Sequence, residues 1–228
     1  NGKSKKALIF DCDNTLWKGI LGEDGFDIIE MSSNSKNGSV FAEIQAMALA
    51  LNNQGILIGL CSKNNPDDVD EVIASHPDMQ LREELITIKK VNWTDKVTNL
   101  REISDELNIG LDSLVFIDDS SFEIDFIRER LPEVTVFQVP EKLHEYPKML
   151  RENLGLFYNL SITAEDSKKI EMYKHQVKRD AIKKEFTDIE DYLASLELKI
   201  TIFQNDESII PRMSQLSQKT NQFNLTTK

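Results

Sequence analysis

A chain of 228 residues, 40% of them hydrophobic, is long enough for one domain or one and a half, and it can bury a core. Its 27 Lys and Arg stand against 39 Asp and Glu, a formal net charge of −12, which argues against a general nucleic-acid binder, because phosphate backbones need a basic surface. No apolar run reaches the ~20 residues of a membrane span, and the basic start at residues 1–6 lacks the apolar stretch of a signal peptide.

The first element is a short buried strand, Ala7 to Phe10, with acids at its end. Residues 17–38, rich in Gly, Asp, Ser and Asn, predict a loop or small flap. A helix follows from Ser39 to Asn53, closed by Gly55. Ile56 to Cys61 reads as a second buried strand, and Asn65-Pro66 starts a helix that runs to about Ser75. Leu85 to Val91 has strand character. Thr94 is the expected N-cap of the next helix, in which Val97, Leu100, Ile103 and Leu107 share one face and which Gly110 ends. Ser113 to Ile117 is a third apolar strand, followed by Asp118 and Asp119, a helix from Ser121 to Leu131 and a strand from Val134 to Val139.

Strands that alternate with helices predict crossover connections, hence a mainly parallel sheet with helices on both faces: a three-layer α/β, Rossmann-like domain over residues 1–155. Ligands of such sheets bind beyond the carboxyl ends of the strands, where strand order reverses. Asp11 and Asp13, Ser62, and Asp118 and Asp119 should therefore converge on one rim. Beyond residue 155 the composition shifts. A helical arm over 156–197, with a long charged helix from Thr163 to Glu185, should lead into a strand at Leu198 to Phe203 and a helix at Ile209 to Asn221, and the chain reads as a fragment of a longer protein.

Alternation in an extended segment places Asp11 and Asp13 on one side and Cys12 on the other. Two such carboxylates can divide the work of phosphoryl transfer, one attacking phosphorus and the other moving protons. Their mutual repulsion calls for Mg²⁺, a hard cation that takes carboxylate, carbonyl and water oxygens. Cys12 and Cys61 lie in apolar runs without metal-ligand spacing, as expected of buried thiols in a reduced, cytoplasmic protein. His76, His144 and His175 show no ligand spacing and read as structural.

Asp11-x-Asp13-x-Thr15 after a buried strand resembles the first motif of the haloacid dehalogenase (HAD) superfamily. Ser62 at the end of the second strand, Lys96 at a helix start and Asp118-Asp119 after an apolar strand resemble the second, third and fourth motifs, in order and at fitting spacing. The resemblance implies a nucleophile and metal ligand at Asp11, and at Asp13 a general acid/base that offers its main-chain carbonyl to the metal. It implies Mg²⁺ as cofactor, with Asp118 a ligand and Asp119 a second ligand or an orienting group. Ser62 and Lys96 would hold the phosphoryl oxygens, with Thr15, Asn64 and Cys61 completing the substrate- and phosphate-binding set.

A narrower likeness runs through Asp13 to Trp17, Gly22 to Gly25, Cys61-Ser62-Lys63-Asn64, Asn92-Trp93-x-Asp95-Lys96 with Asn99-Leu100, Leu111 to Val115, Thr163 to Asp166 and Lys219 to Thr226. These strings resemble the FkbH-like branch. That resemblance implies removal of phosphate from a bisphosphoglycerate-derived glyceryl group and loading of the acyl group on an acyl carrier protein. It also makes residues 198–228 the start of an acetyltransferase-like domain. Only about 45 residues separate the first motif from the end of the second strand, too few for a large cap, so bulky or protein-tethered substrates could enter. Lys89-Lys90, or Lys168-Lys169 with Lys183-Lys184, would have to supply a basic patch for an acidic carrier. Cys61 is a candidate thioester carrier or, facing away from Ser62, a plain strand residue. Trp17 and Trp93, beside motif residues, read as packing walls rather than substrate stackers. Two rival readings are a small magnesium-dependent phosphatase of free phosphometabolites or phosphoproteins, which Thr15-Leu16-Trp17 also resembles, and a non-catalytic metal-binding scaffold.

Overall fold

The computed structural model describes residues 4–157, 170–177 and 179. The chain divides into two compact units, Asn1–Lys184 and Glu185–Lys228, and all described residues lie in the first. The expected strand and helix of the acetyltransferase-like module, and most of the helical arm, fall outside the described residues. The described part of the long charged helix, 170–177, is helical.

Five strands, β1 (Ala7–Phe10), β2 (Leu57–Ser62), β3 (Ile86–Val91), β4 (Leu114–Asp118) and β5 (Thr135–Gln138), form one wholly parallel sheet in the order β3-β2-β1-β4-β5. The chain winds outward from β1 to β3, then crosses back over β1 to lay down β4 and β5. The order therefore reverses beside β1, the strand that carries Asp11.

Among the described residues, α1 (Leu21–Asp24), α2 (Gly38–Asn53), α3 (Pro66–Ser75), α4 (Lys96–Glu106) and α5 (Ser121–Arg130) connect the strands, and α6 (Tyr146–Glu152) follows β5. The alternation of β1 sorts its side chains between two cores. Leu8, Phe10 and Cys12 join Phe41, Ile44 and Leu51 of α2, Val69 and Val72 of α3, and Tyr146 and Leu150 of α6 on one face. Ala7 and Ile9 join Val97, Leu100, Ile103 and Leu107 around α4, with Ile127 of α5, on the other. Ile170, Tyr173 and Val177 pack against that second core. Three layers result, as the strand–helix alternation predicts.

Helix ends follow local chemistry. The Asn65 side chain accepts the Asp67 amide at 3.1 Å with Pro66 in the first turn, and Ser120 caps α5. Gly55, at φ +90°, takes the left-handed position after α2 that a side chain would strain. Two boundaries differ from the sequence reading. The cap of α4 is Asp95, not Thr94: its carboxylate accepts the Thr98 amide at 2.9 Å and the Thr98 hydroxyl at 2.8 Å, while Thr94 sits in a turn closed by Asn92. The left-handed residue beyond α4 is Asn108, at φ +50°, rather than Gly110. Within 17–38 the chain is more ordered than a loop, with α1 and a bridge between Lys18 and Glu30.

Two stability predictions arise here. In the middle of β2, a Cβ on Gly59 would lie 2.7 Å from Ile9 Cδ1 and 2.9 Å from Ile88 Cγ2. Gly59→Ala should cost about 1–3 kcal/mol through overpacking, read as a lower urea midpoint. Asp95→Ala should cost about 1 kcal/mol by removing the cap. The hydrogen bonds from the Thr98 amide and hydroxyl hold the Asp95 carboxyl below its usual range, with the Lys63 charge adding to them. Its contribution is therefore full above the unfolded-state pKa and is lost as pH falls through the lowered folded value, so the stability gap between wild type and Asp95→Ala should close in acid.

Candidate active site

Asp11 follows β1 directly, and its amide donates to the Ile117 carbonyl on β4 at 2.9 Å, which ties the residue to the neighbouring strand. Ser62 ends β2 and Asp118 ends β4, so residues more than 100 positions apart meet at one edge of the sheet. Lys96, the first residue of α4, sends its ammonium into this edge. It donates to Asp11 Oδ1 at 2.9 Å and to Asp118 Oδ2 at 2.6 Å, with all three side chains buried. The other oxygen of Asp118 accepts the Ser120 amide at 2.9 Å, which sets the carboxylate plane.

One ammonium cannot balance the acids around it. Oxygens of Asp11, Asp118 and Asp119 lie within 4.8 Å of one another, and Asp119 is the most open of the three. Burial pushes the Asp11 carboxyl up to about 7; the Asp118 charge adds to the rise, and Lys96 and a hydrogen bond from Ser62 oppose it. Burial, and then the charge of Asp118, raise Asp119 as well. Burial alone would lower the Lys96 ammonium, yet the two carboxylates outweigh it and hold the group above its ordinary value. Three convergent carboxylates with one lysine make an all-oxygen, electron-rich set with a surplus of negative charge. That is what a hard divalent cation requires, so the residues present fit Mg²⁺.

Asp13 stands apart from this trio. The expected strand alternation ends early, because the amides of Thr15 and Leu16 turn back onto the Cys12 carbonyl and Asn14 adopts φ +50°. The turn aims the Asp13 carboxylate at a separate set of donors: Trp17 Nε1 and the Leu21 amide on Oδ1, and Asn64 Nδ2 on Oδ2, each at 3.0 Å. Burial raises its pKa, against those backbone and indole bonds. Asn64 is itself oriented, its Oδ1 accepting the Asn65 amide at 3.0 Å. Asn64 thus touches Asp13 in this structure. Thr15 is fully buried; its hydroxyl has no partner among the described residues, and its carbonyl accepts from Tyr146 Oη at 3.2 Å.

Cys61 faces the second core. Its thiol lies 4.0 Å from the Lys96 carbonyl, wholly buried, and burial pushes its pKa well up. An acyl acceptor needs an exposed, readily ionised thiol, and Cys61 offers neither. The other thiol, Cys12, is buried too. Trp17 is a packing wall, at 0% exposure, but Trp93 is 75% exposed beside the start of α4 and is no part of the buried core. Lys89 and Lys90 form no free basic patch: Lys89 pairs with Asp70 and Glu83, and Lys90 with Glu102 and Glu106. Lys168-Lys169 and Lys183-Lys184 lie outside the described residues.

Sequence reasoning missed the two donors on Asp13 Oδ1, because one is a main-chain amide. It also missed a rim ion pair, Lys63 Nζ to Glu123 Oε1 at 2.7 Å, although Lys63 sits inside the quoted Cys61-Ser62-Lys63-Asn64 string. No helix among the described residues is long and apolar enough to cross a membrane.

No protein-family model matches the chain, and no curated protein matches it. Among solved structures it is similar to the N-terminal part of a Bacteroides fragilis protein containing a phosphatase domain, solved complexed with Mg. Identity is 42% and the TM-score 0.67, over 70% of this chain and 42% of that one. The chain thus spans less than half the length of that relative. It also has a weaker likeness to 3-deoxy-D-manno-octulosonate 8-phosphate phosphatase from Moraxella catarrhalis (17% identity, TM-score 0.43, 67% of this chain and 89% of that one). Another is a HAD family enzyme from Bacteroides thetaiotaomicron (13% identity, TM-score 0.44, 65% and 100%). At those scores the last two say nothing further about this chain. With 42% identity over 70% of its length, this chain is similar to a protein segment that contains a phosphatase domain.

Proposed function

We propose that this domain is a magnesium-dependent phosphatase or phosphotransferase of the HAD superfamily, with Asp11 as covalent nucleophile. The observation that carries this reading is the shared ammonium: Lys96 grips Asp11 and Asp118 at once, with Asp119 completing a trio of carboxylates. The 42% identity to a phosphatase domain solved with Mg supports it.

The chemistry balances on residues of this chain. An oxygen of Asp11 attacks phosphorus, the bond to the leaving-group oxygen breaks, and Asp13 gives that oxygen a proton. Asp13, now a carboxylate, takes a proton from water as the water oxygen attacks phosphorus. The bond from phosphorus to Asp11 breaks and inorganic phosphate leaves. Two donors occupy Asp13 Oδ1, so its transferable proton belongs on Oδ2, beside Asn64. Lys96 and Ser62 neutralise and orient oxygens at the reaction centre. Bound Mg²⁺, held by Asp11, Asp118 and Asp119, would offset the charge on the phosphoryl group. The direct test is phosphate release from a panel of phosphomonoesters with Mg²⁺ and with EDTA, joined to mass spectrometry for a phosphoryl adduct on Asp11. Activity indifferent to EDTA, or an adduct elsewhere, overturns the reading.

The resemblance to the FkbH-like branch narrows the substrate to a bisphosphoglycerate-derived glyceryl group passed to an acyl carrier protein. One observation favours so large a substrate: the connection from β1 to α2 holds only a four-residue helix, which is too small to form a bulky lid. With Mg²⁺, 1,3-bisphosphoglycerate and a carrier protein, this narrower reading expects a glyceryl mass on the carrier thiol. Phosphate release without that mass leaves a plain phosphatase of small phosphate esters.

A further inference from the structure

Lys63 follows Ser62 at the end of β2, and its partner Glu123 lies in the first turn of α5, just beyond β4. In the sheet β2 and β4 flank β1, so the ends they leave are two strand spacings apart, roughly 10 Å. A 2.7 Å ion pair between residues that follow those strands thus links the segments on either side of β1, the strand that leads into Asp11. The pair is asymmetric. The Glu123 side chain is 10% exposed and the Lys63 side chain 37%. An ammonium has three donors, and among the described residues Lys63 uses one of them, on Glu123. The remaining two N–H groups belong to the more exposed partner of this pair.

Charge gives this cation a purpose. Asp11, Asp118 and Asp119 crowd the strand ends, and the chain carries −12 overall. The cationic side chains placed at these strand ends are Lys96 and Lys63, to which a Mg²⁺ held by Asp11, Asp118 and Asp119 would add. Lys96 is committed to Asp11 and Asp118, and a bound Mg²⁺ would serve the transferring phosphoryl group. We infer that Lys63 is a specificity-determining residue, binding a second anionic group, a carboxylate or phosphate, on the leaving-group portion of the substrate. Glu123 anchors it for that role. The inference rests on the phosphatase reading for its chemistry, but not for its test.

The test uses phosphonates, which bind without turning over. Phosphonoacetate, 3-phosphonopropionate and 4-phosphonobutyrate are each compared with the alkylphosphonate of matching length, by calorimetry on the Mg²⁺-loaded protein. At the linker length that spans the gap, wild type should prefer the carboxylate-bearing ligand by about tenfold or more, as one charge-assisted hydrogen bond warrants. Lys63→Met should bring that ratio close to one, and Lys63→Arg, which keeps the charge and the pair, should retain most of it. A ratio of one at all three lengths in wild type, or a preference that survives Lys63→Met, overturns the inference. Turnover of simple alkyl phosphates by wild type is measured separately. Its absence counts against the phosphatase reading, while a Lys63-dependent binding ratio would still establish the anion subsite.

Discussion

Replacing Asp11 by asparagine should lower magnesium-dependent phosphate release by on the order of 10⁴-fold or more and abolish the phosphoryl adduct, because an amide supplies no nucleophile. The same change should leave the fold intact and make the metal-free domain more stable. The reason is electrostatic. Asp11 is buried and its carboxyl is pushed from 3.8 up to about 7, so the folded protein holds a proton that the unfolded chain releases between those values. For a raised acid, stability is highest at low pH and falls as pH climbs from about 4 to about 7. Asparagine removes that charge and its penalty. Urea denaturation in EDTA should thus show wild type weakening across this window and Asp11→Asn weakening less. Saturating Mg²⁺ at pH 8 should return stability to wild type by offsetting the charge. An Asp11→Asn protein within tenfold of wild-type activity would place the nucleophile elsewhere.

The second large effect is expected at Lys96. Lys96→Met keeps the length of the side chain and removes its charge, stranding Asp11 and Asp118 together in a buried place. Breaking a buried ion pair from one side costs about 3–5 kcal/mol, and here one cation serves two acids. The metal-free variant should lose stability on that scale, with the loss growing as pH rises and the carboxylates ionise. Mg²⁺ should recover part of it, since a divalent cation can take over the balancing of charge, whereas phosphate release should stay severely depressed. Denaturation midpoints with Mg²⁺ and with EDTA, measured at pH 5 and pH 8, separate the two contributions. If the midpoint of Lys96→Met matches wild type in EDTA at pH 8, the ammonium is not what holds the carboxylates together.

Much of this was legible in the residues. The apolar runs at 7–10, 56–61 and 113–117 are too short for helices and too continuous for half-exposed strands, so a parallel sheet covered on both faces follows from them. Once that is granted, acids at the ends of two such runs must approach one another, and Asp11 and Asp118 do. Lys96 was singled out by its resemblance to the third motif at a helix start, though the cap moved by one residue because the Asp95 carboxylate reaches the Thr98 amide and hydroxyl together. What stayed hidden depends on turns and on main-chain donors. Strand alternation put Asp13 on the side of Asp11, but it could not supply the turn after Cys12 or the Leu21 amide on Asp13 Oδ1, a donor that no residue identity announces. The Lys63–Glu123 pair joins residues 60 positions apart through a strand order that the sequence does not state. Trp93 looked like a wall because tryptophan usually is one.

The chain has two tryptophans, and the fold sets them in opposite surroundings. Trp17 has no contact with solvent and donates its indole N–H to Asp13, while Trp93 stands in water near the N-terminus of α4. The domain thus carries a pair of natural optical probes, one bonded to Asp13 and one at the surface near α4. Iodide should extinguish the red-shifted emission of Trp93 and leave the blue component of Trp17 untouched, so that a fluorimeter can follow events around Asp13 without any label.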